Sequence, residues 1–201
     1  MGPDLTIVAT LVFIATIALS LYTLLKNESL YWRMVLNPYR VVHQKQYQLL
    51  LTSGFIHADI THLLFNMITF YFFAFHLERI AGAIPFAIIY LGSMILSDIS
   101  TVIKHRNNPD YNSVGASGAV SGVLFATILY NPSSSIMIFP IPIPIPAVIF
   151  ALMYLAYSHF SSKRGGDHIN HEAHLWGALA GVILTIILEP GIVPAFIAAV
   201  F

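Results

Sequence analysis

The sequence predicts an all-α membrane protein, a bundle of six transmembrane helices. Three observations predict it. Hydrophobic residues make up 57% of the 201-residue chain, charged residues only 9%, and mean hydropathy is +0.78. A soluble domain carries about 25% charged residues, so much of the solvent here must be lipid. The apolar residues fall into six runs, separated by polar or Gly- and Pro-containing breaks. No repeat or linker interrupts the series, so residues 1–201 read as a single transmembrane domain. The formal net charge of zero argues against nucleic acid as a partner, and the absence of cysteine removes disulfides and thiolate metal sites.

The first run, TM1 (residues 5–25), is long enough to cross a hydrocarbon core of about 30 Å. Met1-Gly2-Pro3-Asp4 ahead of it has no Lys or Arg and no small-residue cleavage site, which reads as a transmembrane start rather than a removable signal. Residues 26–59 mix aromatic and basic side chains, including Trp32, Arg33, Tyr39, Arg40 and Lys45. They suit the headgroup zone as an ordered loop or interfacial helix. TM2 (60–77) is closed by Glu78-Arg79 and a Gly82/Pro85 turn, and TM3 (84–103) leads to a polar loop (104–112). TM4 (118–130) ends at Asn131-Pro132. The alternating prolines of residues 140–146 cannot build a helix and favour extended backbone. TM5 (147–160), a polar loop (161–170) and TM6 (171–188) follow, with an apolar tail too short to span.

TM4 spans roughly 20 Å, less than the hydrocarbon core. Non-helical backbone at depth is tolerated only beside protein or a water-filled cavity, and a hydrolase within a membrane needs such a cavity for its water. Polar residues open the even-numbered runs: His62 and Asn66 in TM2, Ser117 in TM4 and His174 in TM6. Even-numbered helices of an up-and-down bundle run the same way, so the three sites reach one membrane face.

Each site has a chemical and a packing reading. Ser117, within Gly115-Ala116-Ser117-Gly118, lies at a helix start whose unpaired N–H groups and dipole suit a developing oxyanion. Equally, small residues are common at membrane helix contacts. His174 is followed by Gly177 and Gly181 on one helical face. If these glycines admit TM4, the imidazole comes within reach of Ser117 and serves as the base a serine nucleophile requires. Otherwise it is an interfacial histidine. His62 and Asn66, spaced i, i+4, offer two side-chain donors for an oxyanion, or a polar pair that holds helices together. His57 suits loop ordering rather than catalysis. Asp98, near Ser97, Ser100 and Thr101 in TM3, reads as support for a polar network or wet cavity. Glu172 lies about 200° around a helix from His174, which favours a Ser–His dyad over a triad. His168, His171, His174 and Glu172 raise a metal site, but the His-Glu-x-x-His signature is one position short and has no third ligand. Nothing in the chain calls for a cofactor.

Together, His62-x-x-x-Asn66, Gly115-Ala116-Ser117-Gly118 and Ala173-His174-x-x-Gly177-x-x-x-Gly181 resemble the rhomboid family of intramembrane serine proteases, in the family's order and on its second, fourth and sixth helices. The resemblance implies a rhomboid-like bundle with its active site at the start of helices 2, 4 and 6. Ser117 would be the nucleophile and His174 the general base. The Ser117 N–H, His62 and Asn66 would form the oxyanion hole, and Glu78 would be a structural acid. Substrates would be single-pass membrane proteins of a prokaryotic cell membrane, cut near the membrane face at small residues in locally unstable helix. Two departures stand out. Gln48-Leu49 occupies the place where many members have Trp-Arg, and Ser121 the place where many have an aromatic stacked on the histidine. That support is therefore missing or comes from another side chain.

Loop charge and family precedent disagree on orientation. Lys26, Arg33, Arg40, Lys45, Lys104, Arg106, Lys163 and Arg164 all belong to odd-numbered loops, and only Arg79 lies opposite. The positive-inside rule would turn the site to the cytoplasm. Bacterial precedent turns it outward and is followed here. Two other readings remain: an inactive rhomboid-like protein that binds membrane clients, and a small transporter, against which stands the lack of pseudo-symmetry between halves.

Overall fold

The computed structural model describes residues 6–138, 141–164 and 170–201. Helix α1 (Ile7–Leu25) starts with unpaired amides, and the buried Glu78 carboxylate accepts from two of them, Val8 N–H at 3.0 Å and Ala9 N–H at 2.6 Å. A carboxylate at a helix N-terminus satisfies orphan donors and the positive dipole end together. Glu78 thus holds structure, as the resemblance implies.

Residues 26–59 fold as three short helices, α2 (Glu28–Met34), α3 (Pro38–His43) and α4 (Leu49–Thr52), with a 3₁₀ turn at Ser53–Phe55. Asn27 and Asn37 cap α2 and α3, and Pro38 sits in the first turn of α3, where its missing N–H costs nothing. Leu36 and Ser113 exchange both backbone hydrogen bonds at 3.0 Å. This bridge straps the first loop onto the segment leading to Ser117.

Two long helices follow, α5 (Ile60–Ala81) and α6 (Ala83–His105), joined at Gly82, whose φ of +93° suits a residue without Cβ. Phe70, Phe86, Tyr90 and Met94 pack between them in a cluster that also takes in Ala9 of α1. Helix α7 (Ser117–Tyr130) is short, with every residue from Gly118 to Ile128 buried. A helix apolar all round belongs inside, so α7 is the axis of the bundle. Two strands, β1 (Ser135–Ile138) and β2 (Ile141–Pro146), form an antiparallel hairpin. The extended backbone expected of the alternating prolines is present as β2. Proline at every second position leaves no N–H along one side of that strand, which prevents further strand addition.

Helix α8 (Ala147–Arg164) lies at the periphery, α9 (His171–Leu188) packs on both α6 and α7, and α10 (Ile192–Val200) closes the chain. Among the described residues, four helices are long and apolar enough to cross a membrane, α1, α5, α6 and α9; α7 and α8 contribute shorter apolar segments. Large apolar side chains such as Leu11, Phe72, Ile84 and Ile187 stay exposed on the long helices, as a lipid solvent requires.

Candidate active site

The helix contact that builds the site is made without side chains. A Cβ placed on Gly177 would lie 2.1 Å from the carbonyl oxygen of Gly118, and one on Gly181 at the same distance from that of Gly122. The two α9 glycines therefore seat α9 on the α7 backbone one turn apart, as their spacing predicts. On its other side α7 is equally close to α6: a Cβ on Gly118 or Gly122 would meet the hydroxyls of Ser97 or Ser93, each at 2.1 Å. Ser117 and His174 open the two helices joined in this way.

The turn into Ser117 is fixed from three directions. Gly115 has φ +118°, and a Cβ there would also strike the His62 ring at 2.6 Å. Its N–H donates to Ser53 O at 3.0 Å. The Ser53 hydroxyl lies 3.0 Å from Asp98 Oδ2, so Asp98 supports this turn, as expected of it. One residue on, Ala116 N–H donates to His57 Nε2 at 3.4 Å. That assigns the proton of His57 to Nδ1, which lies 2.9 Å from Ser20 Oγ, and the Ser20 hydroxyl in turn reaches Phe55 O at 3.1 Å. His57 is thus the loop-ordering residue the sequence suggests.

This chain of bonds needs a neutral imidazole. Burial, reinforced by the neighbouring His62 and opposed by Asp59, lowers the His57 pKa from 6.5 to about 3. A histidine held neutral in the fold takes up a proton more readily when unfolded. Stability from this group is therefore complete above pH 6.5 and is lost as pH falls toward 3. The melting temperature in detergent should decline across that window, and His57→Gln, which donates and accepts without titrating there, should flatten the decline. An unchanged acid limb in His57→Gln would place the pH sensitivity elsewhere.

The Asp59 carboxylate caps α5 by accepting His62 N–H at 2.7 Å, which presents His62 in the first turn. Asn66, one turn on and buried, gives one amide hydrogen to His62 O at 3.0 Å and keeps the other. Asn170 caps α9 by accepting Ala173 N–H at 3.0 Å, and its amide donates to Thr101 Oγ1 at 2.9 Å. The helix carrying His174 is thereby tied to α6. Glu172 pairs with Lys104 of α6 and is not a partner of His174, in keeping with its angular displacement. The residues of the metal reading divide: His168 lies outside the described residues, Glu172 pairs with Lys104, and the rings of His171 and His174 meet at 6.0 Å, edge to face.

Ser117, His174, His62 and Asn66 all line one cavity of about 1090 Å³, together with Ser97, Asp98 and Tyr154. Among the described residues no hydrogen bond joins Ser117 Oγ to the His174 ring. The Ser117 N–H belongs to the first turn of α7 and has no intrahelical acceptor.

Two residues were not foreseen from sequence. Asn170 carries a signal, an asparagine directly before an apolar helical run. Tyr154 of α8 stacks near-parallel to the His174 ring, with centroids 6.5 Å apart, and its hydroxyl lies 2.6 Å from Ser121 Oγ. An aromatic does lie alongside the histidine, supplied by a different helix from the one where many family members carry it.

The family model for the rhomboid domain matches residues 44–190. The chain belongs to the rhomboid family. It is an integral membrane protein by that membership and by its apolar helices. Among rhomboid relatives, YdcA of Bacillus subtilis, whose name includes the words rhomboid protease, is 34% identical over 163 residues, covering 77% of this chain and 74% of YdcA. Human rhomboid-related protein 4 is 31% identical over 184 residues, 87% of this chain but 56% of its own length. The mitochondrial RHOMBOID-like protein 12 of Arabidopsis thaliana is 28% identical over 149 residues, 67% of this chain and 44% of its own length. This rhomboid chain therefore spans about half the length of the last two.

Proposed function

We propose that the chain is an intramembrane serine endopeptidase that cleaves transmembrane segments of membrane proteins. One observation carries the reading: a serine at the unpaired N-terminus of a buried helix shares a polar cavity with a histidine on the helix seated directly against it. In this reading α1, α5, α6, α7, α8 and α9 all cross the bilayer, in the plasma membrane of a prokaryote, with the cavity toward the outer face.

The chemistry follows from the groups present. His174 takes the hydroxyl proton as Ser117 Oγ attacks the scissile carbonyl, and returns it to the leaving amine. The oxyanion is met by the Ser117 N–H, the His62 ring and the free amide hydrogen of Asn66. Water entering the cavity then hydrolyses the acyl-enzyme with His174 again as base. A backbone must leave its helix to present a carbonyl here, so single-pass segments with small residues and a weak helix near the membrane face are the substrates of choice.

A fluorophosphonate should label the purified wild-type chain at Ser117, and the same preparation should cleave a generic transmembrane substrate. An inactive client-binding relative or a transporter would do neither. Asn66→Ala should slow cleavage by about 10²–10³-fold, the usual effect of losing one oxyanion donor. A wild-type rate in both Asn66→Ala and His62→Ala would reduce α5 to helix packing.

A further inference from the structure

We propose that Tyr154, held from α7 by Ser121, is a positioning residue for His174. The inference rests on the protease reading above for its kinetic consequences, but its geometry stands without it.

The His174 ring is bounded by groups from four helices. Ser117 of α7 and His62 of α5 share its cavity, His171 of its own helix lies edge-on at 6.0 Å, and Tyr154 of α8 lies near-parallel, with 22° between the planes. Tyr154 forms the wall of the cavity alongside the imidazole, its ring near-parallel and 6.5 Å away between centroids. An imidazole hinged on two side-chain torsions needs such a wall to keep its nitrogens in the plane of the nucleophile, because displacement by about 1 Å costs about 10²-fold in rate.

Tyr154 is itself held by hydrogen bonding. The Ser121 hydroxyl donates to Ser117 O at 2.8 Å, leaving its oxygen to accept from the Tyr154 hydroxyl. The bond reaches back to the carbonyl of the candidate nucleophile, one turn away on α7. A tyrosine beside Phe125 and Phe150 needs a partner for its hydroxyl, and the partner here spans two helices. The rest of α8 packs on α7 and α9 along one side, through Ala147, Ala151 and Leu155, and turns its other side to lipid. Ile149, Leu152, Met153, Tyr157 and Phe160 are each at least half exposed.

The test uses the full chain in detergent and in liposomes, with Tyr154→Phe, Tyr154→Ala, Ser121→Ala, Tyr154→Phe/Ser121→Ala and Tyr154→Ala/Ser121→Tyr. Tyr154→Ala should lower kcat by about 10²-fold with little change in KM, and should alter the pH profile and the nitrogen-15 titration of the His174 imidazole, assigned by its loss in His174→Asn. Tyr154→Phe keeps the ring and should lose about fivefold, as should Ser121→Ala, and the pair together no more than either, because both remove one hydrogen bond. Tyr154→Ala/Ser121→Tyr, which supplies a ring from α7 into the vacated space, should recover most of kcat.

A Tyr154→Ala protein with wild-type kcat, pH profile and imidazole titration would overturn the proposal. So would a loss that the ring from position 121 does not restore in a folded double variant. Should Tyr154→Ala fail to fold, additive losses in the Phe/Ala cycle would overturn it equally. If the wild type neither labels nor cleaves, the protease reading falls, while the imidazole titration still decides whether Tyr154 orients His174.

Discussion

Ser117→Ala is expected to abolish proteolysis and leave the fold intact. The substitution removes a hydroxyl that makes no hydrogen bond among the described residues, while the Ser117 carbonyl keeps its bond from Ser121 and the turn before it keeps Gly115, Ser53 and His57. Nothing that shapes α7 is lost, so the melting temperature should stay at the wild-type value. The rate should fall by about 10⁶-fold, the loss expected when a nucleophile is removed and only binding and the oxyanion site remain. His174→Ala should be as severe, and the double variant little worse than either, because nucleophile and base act as one unit. Cleavage of a transmembrane substrate and labelling by a fluorophosphonate, measured beside detergent melting, check both. Near wild-type cleavage by Ser117→Ala would remove the serine from the mechanism.

What the sequence makes legible are the features with a local signature. Gly177 and Gly181 mark a close helix contact because only glycine tolerates a carbonyl at that distance, and their partners are Gly118 and Gly122. Pro142, Pro144 and Pro146 mark extended backbone because proline removes the helical donor, and they lie in β2. The short TM4 marks a helix that does not cross the core by itself, and α7 has only 14 residues; that it is buried as the axis of the bundle is a finding of the structure. The unread features are those made by long-range coincidence. Leu36 and Ser113 pair through backbone alone, so no side-chain pattern announces the strap. Ser135–Ile138 becomes a strand because β2 lies beside it with free inner donors, not because four residues show a period. Tyr154 is one aromatic among several in an apolar run. Its sequence carries no sign that it faces His174 while Tyr157, one turn on, is exposed. The absence of an aromatic at Ser121 was the only clue, and it pointed to a vacancy without naming the side chain that fills it.

Gly181→Val is expected to remove most activity and to lower thermal stability together, while the protein still inserts into the membrane. The offending atom is the Cβ, so no rotamer relieves it, and the atom it strikes is the Gly122 carbonyl oxygen, part of a buried helix backbone. Going from 2.1 Å to an ordinary contact of 3.4 Å pushes α9 from α7 by about 1 Å, a shift able to cost about 10²-fold in rate when it separates nucleophile from base. Overpacking of this kind destabilises by about 1–3 kcal/mol. The displacement acts first on the glycine seam, which is why stability and rate fall together, unlike Ser117→Ala, where only the rate falls. Gly191→Ala supplies the control, since a Cβ there meets only the end of the flexible Glu189 side chain at 3.4 Å; it should leave both quantities unchanged. Activity and detergent melting on the same preparations decide the matter. A Gly181→Val protein as active and as stable as wild type would mean that α9 does not seat on α7 through this seam, and the shared placement of Ser117 and His174 would lose its structural cause.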